Sequence, residues 1–84
     1  MDIKKLKTQA KALKPILWIG KNGVTDNLVN ELKYLLKRKK LVKIKFLRGF
    51  LEENDKKEVV QDLIAKTEAK LVDQVGFIVV LYRR

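Results

Sequence analysis

The chain has 84 residues, of which 46% are hydrophobic, and a formal net charge of +10 from 20 Lys and Arg against 10 Asp and Glu. A chain of this length is expected to form one domain, spanning residues 1–84. It contains no Cys and no His, which excludes disulfides, thiolate metal sites and the commonest acid–base group at neutral pH. We therefore expect a binding protein, neither an enzyme nor the carrier of a cofactor or metal.

The positive charge is concentrated in the first part of the chain. Residues 1–48 contain 14 basic and 3 acidic side chains, a charge of +11, whereas residues 49–84 contain 6 and 7, a charge of −1. A concentrated positive field attracts a polyanion such as nucleic acid or an anionic membrane surface. The longest apolar runs fall far short of the roughly 20 residues that a membrane-spanning helix needs. We expect a cytoplasmic protein with no membrane segment.

The first predicted element is an amphipathic helix over residues 3–13. Lysines lie between its apolar residues. The apolar residues recur at helical spacing and are Ile3, Leu6, Ala10 and Leu13. Pro15 ends this helix, because a proline disfavours helical geometry in the residue before it. The continuous apolar run over residues 16–19 then predicts a central strand buried on both faces, which would place Trp18 in the core.

A glycine-containing loop, Gly20–Gly23, separates this strand from a second predicted helix. Thr25 is a suitable N-cap, because its hydroxyl can accept a hydrogen bond from an unpaired amide in the first turn. The apolar face of the helix consists of Leu28, Val29, Leu32, Leu35 and Leu36. Another face is basic and consists of Lys33, Lys37 and Lys40.

The second half of the chain predicts one more helix and three strands. Residues 41–47 alternate strictly, with an apolar face of Val42, Ile44 and Phe46 and an outer basic face of Lys43 and Lys45. Residues 48–54 are predicted to form a loop around Gly49, after which Asp55 and Glu58 resemble a capping box at the start of a third helix. Two strands, residues 70–75 and 77–83, would be joined by a tight turn at Gly76, with Phe77 in the core.

The element order is therefore α-β-α-β-α-β-β, which predicts a compact α/β domain. Two strand–helix–strand crossovers favour parallel, right-handed neighbours, and the terminal hairpin adds an antiparallel strand. The predicted fold is a mixed four-stranded sheet packed with helices.

The loop Gly20-Lys21-Asn22-Gly23 has two interpretations. Glycines let a phosphate approach the backbone closely, the free amides at the start of the next helix can bind it, and Lys21 adds a cation. Alternatively, Gly20 and Gly23 only supply the positive φ of a turn. The local sequence supports the two interpretations about equally.

Three separated stretches of the chain resemble one known family. They are residues 13–25 (LKPILWIGKNGVT), residues 41–45 (LVKIK), and the C-terminal pair Val75-Gly76 with Leu81-Tyr82-Arg83. In this order they resemble the CRM domain, the chloroplast RNA splicing and ribosome maturation domain, which occurs alone in bacterial and archaeal YhbY-type proteins. The resemblance covers essentially the whole chain.

This resemblance implies an RNA-binding domain similar in fold to the C-terminal domain of translation initiation factor three. Single-domain members are associated with precursors of the large ribosomal subunit, which implies ribosomal RNA as the partner. The GxxG loop of the family, here Gly20 to Gly23, is thought to contact RNA as the comparable loop of KH domains does.

From the residues themselves, we expect the cations to hold phosphates along one basic track. The candidate RNA-binding residues are Gly20, Lys21, Asn22, Gly23, Lys33, Lys37, Lys40, Lys43, Lys45, Arg48 and Arg83. Tyr82 could either pack or stack on a base. A general or intron RNA-binding module remains the alternative, with DNA binding and protein interaction as further ones, and a monomer is favoured.

Overall fold

The computed structural model describes residues 2–84. Its eight elements, in chain order, are α1 (Ile3–Lys11), β1 (Leu17–Ile19), α2 (Asp26–Lys39), β2 (Leu41–Phe46), α3 (Arg48–Glu53), α4 (Lys56–Thr67), β3 (Lys70–Val75) and β4 (Ile78–Tyr82). The predicted N-caps Thr25 and Asp55 are present, but Asp55 bonds the amide of Lys57 rather than that of Glu58, so the predicted capping box is reduced to a simple N-cap. The Thr25 hydroxyl accepts a hydrogen bond from the Leu28 amide at 3.1 Å, and the Asp55 carboxylate accepts one from the Lys57 amide at 2.9 Å.

The four strands form one mixed sheet in the order β1-β2-β4-β3. β1 pairs with β2 in parallel, and β4 lies between β2 and β3, antiparallel to both. The predicted mixed four-stranded sheet packed with helices is therefore confirmed. The prediction that both crossovers join neighbouring strands is wrong for the second one, because the last strand of the hairpin inserts between β2 and β3.

One face of the sheet is covered by α2 and α4, and the main core lies there. The inner residues of β2 are completely buried, as their alternation predicted: Val42, Ile44 and Phe46. They pack with Leu32 and Leu36 of α2 and with Val60 and Leu63 of α4. The Phe46 ring also stacks on Phe50 of α3, with the ring centroids 5.8 Å apart. This ring pair fixes α3 against the end of the sheet.

The opposite face of the sheet is covered only by α1. A small second core forms there from Ala10 of α1 and from Leu41, Val72 and Val80 of the sheet. Lys43 lies at the edge of this core, and its ammonium group donates hydrogen bonds to the carbonyl oxygens of Ala10 and Leu13 at 3.3 and 3.2 Å. Because those carbonyls are at the C-terminal end of α1, Lys43 holds that end against the sheet.

The predicted loop over residues 48–54 is wrong for most of its length, since α3 occupies Arg48–Glu53. The helix is only six residues long, contains Gly49, and has no side-chain hydrogen bond at its N-cap, Leu47. A segment this short shows no periodicity that could separate a helix from a loop. Burial of Phe50 stabilises it instead.

Two aromatic residues predicted to lie in the core are exposed. Trp18 is 54% exposed and Phe77 is 43% exposed. Trp18 points to the side of β1 opposite Leu17 and Ile19, onto the face that α1 covers only in part. Phe77 lies in the turn between β3 and β4, beside Gly76, whose φ is 56°. Strand β4 therefore begins one residue later than predicted.

The helices between residues 2 and 84 are all too short or too polar to cross a membrane.

We predict that Lys43→Met lowers the free energy of unfolding by about 1 kcal/mol, because it removes both hydrogen bonds to the end of α1 while keeping a similar apolar stem. Urea denaturation would measure this change. The matched control is Lys45→Met on the same face of β2, where the side chain is exposed, and a change below about 0.5 kcal/mol is expected. Equal losses in the two variants would contradict the bracing role of Lys43.

Candidate nucleic-acid interface

The loop between β1 and α2 is a tight turn that needs a positive φ at Gly23. The Gly23 amide donates a hydrogen bond to the Gly20 carbonyl at 2.8 Å, and Gly23 has a φ of 65°. A Cβ atom on Gly20 would come within 2.6 Å of Leu47 Cδ1. Positive φ therefore accounts for Gly23, whereas the contact at Gly20 is with the end of the Leu47 side chain, which is 45% exposed and free to move aside. Lys21 and Asn22 are exposed at the tip of the turn.

The start of α2 is less open to an anion than the sequence pattern indicated. The Thr25 hydroxyl accepts a hydrogen bond from the Leu28 amide, which is then no longer free to bind an anion. The first turn also contains the carboxylate of Asp26. A negative charge at this position is stabilised by the helix dipole and would repel a phosphate placed directly on the helix end. The capacity of this loop to hold a phosphate therefore depends mainly on Lys21 at its tip.

At the other end of α2, the structure brings cations from two distant parts of the chain together. The backbone amide of Arg83 donates to the carbonyl of Lys40 at 2.9 Å, which joins the end of β4 to the end of α2. A surface groove forms at this junction, which we call the basic groove. Its lining residues are Lys33, Tyr34, Lys37, Lys40, Arg83 and Arg84.

Five of the six residues that line the basic groove are cations. Lys33 and Lys37 are four residues apart and share one face of α2, and Lys40 is the C-cap of the helix, three residues further on. Within residues 2–84, no acidic side chain lines the groove. Arg83 also contacts Glu68 outside it, at 3.3 Å between Nη2 and Oε2, but that carboxylate is largely exposed and the pair is solvent-screened. The groove therefore gathers five positive charges with no acidic side chain among the described residues that line it.

Lys40 has an unusual backbone conformation at this groove. Its φ is 68°, in the left-handed region that a non-glycine residue rarely adopts. The residue is the C-cap of α2, and its amide donates to Leu36 at 2.9 Å. Glycine is the usual residue at such a helix end, because it has no Cβ to clash. A lysine here keeps a cation in the groove at the expense of backbone strain.

Three other predicted residues lie outside the groove and apart from one another. Lys43 is half-buried under α1, with its ammonium bound to backbone carbonyls. Lys45 is exposed on the same face of the sheet, beside Trp18. Arg48 begins α3 and forms an exposed ion pair with Glu52, with 3.7 Å between Nε and Oε1. The structure therefore unites Lys33, Lys37, Lys40 and Arg83, and it separates them from the loop and from β2.

The loop lies at the N-terminal end of α2, and the basic groove runs along the C-terminal half of the helix from Lys33 to Lys40. The helix has 14 residues, which corresponds to a length of about 21 Å at 1.5 Å per residue. Between the two ends, the stripe that contains Lys33 and Lys37 continues toward the loop through exposed Asn30. The predicted single track is therefore two cationic areas joined along one helix.

Sequence reasoning missed two residues of the basic groove. Tyr34 is 57% exposed, and its hydroxyl accepts a hydrogen bond from Arg38 Nη1 at 2.9 Å. The sequence signal that could have identified Tyr34 is its position on the polar side of α2, directly after Lys33. Arg84 lines the groove beside Arg83. Its position follows from strand pairing: Tyr82 pairs with Leu41, which directly follows the C-cap of α2, so the residues after Tyr82 lie next to the end of that helix. Tyr82 itself is half-buried against the small core under α1.

Two relatives are similar over nearly the whole chain. The probable RNA-binding protein YqeI of Bacillus subtilis is 33% identical over 78 residues, which cover 93% of this chain and 79% of that protein. The probable RNA-binding protein MJ0652 of Methanocaldococcus jannaschii is 32% identical over 78 residues, 93% of this chain. The matched part is 58% of the archaeal protein, which is therefore considerably longer.

A solved structure has the same fold. It is the solution structure of the hypothetical protein SAV1595 from Staphylococcus aureus, a candidate RNA-binding protein, with a TM-score of 0.78 and 31% identity. The match covers 98% of this chain and 83% of that one. The CRS1 / YhbY (CRM) domain family matches residues 1–83. With its sequence and its fold in agreement, this chain belongs to the CRS1 / YhbY (CRM) domain family.

Proposed function

We propose that this chain is a non-enzymatic RNA-binding protein that holds RNA phosphates in the basic groove. The observation that carries the proposal is the convergence of five cations in one groove: two from α2, one from its C-cap and two that follow β4. Phosphate contacts provide most of the affinity of such proteins and position the nucleic acid without reading its sequence. The names of the relatives and of the similar structure support RNA as the polyanion.

The GxxG loop would be a second phosphate contact. Lys21 and Asn22 are exposed at its tip, where the ammonium group of Lys21 is free to meet a phosphate. Because Lys40, at the far end of the groove, lies about 21 Å from the loop along α2, one RNA segment could bridge both areas. In this proposal Lys43 does not contact RNA but holds the end of α1 against the sheet. Arg48, which lies outside both cationic areas, contributes little to RNA binding.

The finer part of the proposal is the identity of the RNA. We assign the chain to precursors of the large ribosomal subunit, where it would act in assembly as a monomer in the cytoplasm. This assignment is supported by what the resemblance to single-domain YhbY-type proteins implies. A general role in RNA folding or intron binding uses the same surface and is the alternative.

We predict that the double variant Lys33→Glu/Lys37→Glu weakens RNA binding roughly tenfold or more at 0.1 M salt, because it reverses two charges in the groove. The slope of log Kd against log salt should fall by about 1.5, since each phosphate contact contributes about 0.7 to 0.9. Fluorescence anisotropy with a labelled ribosomal RNA fragment, repeated over a salt series, measures both quantities.

The matched control for this variant is Lys57→Glu/Lys66→Glu on α4. Both lysines are exposed and neither lines the basic groove, yet the net charge changes by the same amount. Near wild-type affinity is expected for the control. Equal losses in the two double variants would show that total charge, rather than the groove, determines binding.

We predict opposite effects of Lys40→Gly on stability and on binding. Glycine relieves the positive φ, so the free energy of unfolding should rise by about 1 kcal/mol, while loss of one cation should weaken RNA binding a few-fold. Urea denaturation and anisotropy measure the two effects. The control is Lys39→Gly, which removes the neighbouring cation at the last helical residue of α2. Because glycine is unfavourable in a helix, this variant should lower the free energy of unfolding by about 0.5 to 1 kcal/mol. A Lys40→Gly variant that is less stable than the wild type would contradict the strain at this position.

Crosslinking in cells, followed by sequencing of the recovered nucleic acid, tests the function as a whole. Enrichment of large-subunit ribosomal RNA precursors is expected, and the Lys33→Glu/Lys37→Glu variant should lose that enrichment. Recovery of introns or other RNA would support the alternative. Recovery of DNA, or of no nucleic acid, would overturn the proposal.

A further inference from the structure

A row of four paired residues crosses the sheet on the face that α1 covers only in part. Trp18 of β1 pairs with Lys45 of β2, Lys45 pairs with Ile78 of β4, and Ile78 pairs with Val75 of β3. Directly paired residues project from the same face of a sheet. These four side chains therefore form one transverse strip, which we call the sheet row. With strands about 4.8 Å apart, the row spans about 14 Å.

The sheet row is a surface rather than part of either core. Trp18 is 54% exposed and Val75 is 65% exposed, Lys45 is exposed, and Ile78 is half-buried. The small core under α1 uses Leu41, Val72 and Val80, which lie nearer the other end of the strands. A solvated tryptophan at the centre of an edge strand, whose two neighbours are almost fully buried, is unusual for so large an apolar side chain.

The charges around the sheet row fit a polyanion. Lys45 lies within the row. Two members of the row, Ile78 and Val75, also line a second groove, between the sheet and α1, and Lys7 and Lys11 of α1 line the same groove. The one acidic residue among the described residues lining that groove is Asp73, whose carboxylate accepts a hydrogen bond from the Gln74 amide at 2.9 Å. The row therefore combines a large aromatic ring with cations, the combination that holds the bases and phosphates of a single strand.

We propose that the sheet row binds unpaired bases of the RNA, with the indole of Trp18 as the stacking surface and Lys45 as a phosphate contact beside it. This inference rests on the proposed RNA-binding function and adds the class of RNA, a segment with unpaired bases. Lys21 follows Trp18 by three residues, a distance of at most about 10 Å along the chain. A strand that stacks on Trp18 can therefore continue to the cation of the loop.

A second copy of the chain is a less suitable occupant of this surface. A twofold contact between two sheet rows would bring Lys45 of each copy into an apolar interface near the cations of the other copy. Burial of such charges without a counterion is unfavourable. Nucleotides place a flat base on the ring and a phosphate near the ammonium group, so they satisfy both features.

The single tryptophan of the chain makes this proposal directly testable, because all tryptophan fluorescence comes from Trp18. The full chain is titrated with a 12-nucleotide oligouridine and with a 12-base-pair RNA duplex. Stacking should quench the emission with the oligouridine and leave it nearly unchanged with the duplex. Trp18→Leu, which keeps an apolar side chain without a ring, should weaken oligouridine binding by about 5- to 150-fold, and Trp18→Phe should retain most of the affinity.

The outcomes separate this inference from the proposed function. Absence of salt-dependent binding to both RNAs would overturn the proposed function and this inference with it. Binding without quenching, with equal affinity of the wild type and Trp18→Leu, would overturn this inference and leave the proposed function in place. A wild-type dimer that Trp18→Leu converts to a monomer in sedimentation would identify the row as a contact between copies and would also overturn it. If Trp18→Leu does not fold, the quenching of the wild type decides the question.

Discussion

The length of α1 determines how the two faces of the sheet differ. Nine helical residues span about 13 Å, whereas six-residue strands such as β2 and β3 extend for about 20 Å, so one helix cannot cover the whole face. Its C-terminal end is fixed by Lys43, which sets the part of the sheet that is buried. The remaining part keeps Trp18 in solvent. The opposite face, under α2 and α4, is covered by two helices and contains the main core.

Sequence patterns predicted the elements well where they had a clear period. The strict alternation of β2 and the helical spacing of α2 identified their buried sides correctly, because each pattern encodes which side faces the core. The run over residues 16–19 is apolar throughout, so it does not show that β1 lies at an edge and that one of its faces is half open. Likewise, a crossover rule determines strand direction, but it does not show that β4 separates β2 from β3.

The candidate site was predictable where it lies on one element. Lys33 and Lys37 share a helical face, Lys40 follows at the end of the helix, and the structure shows all three in one groove. The place of Arg83 beside Lys40 depends on the register of β4 against β2, which local sequence does not encode. The surroundings of Lys43 were also not predictable from local sequence. Alternation predicts the side of the strand to which a lysine points, but not that α1 will cover that side and accept hydrogen bonds from the lysine.

Helix α2 also sets the spacing between the two proposed anion contacts. A 14-residue helix packed along its length on a sheet has almost no freedom to bend or to extend, so the separation of Lys21 from Lys40 is set by the fold. Flexible single strands can adjust to such a separation at an entropic cost, whereas a folded RNA meets it only if its own phosphates have a matching geometry. Discrimination between RNAs could therefore arise from distance and curvature alone, without any contact that reads a base.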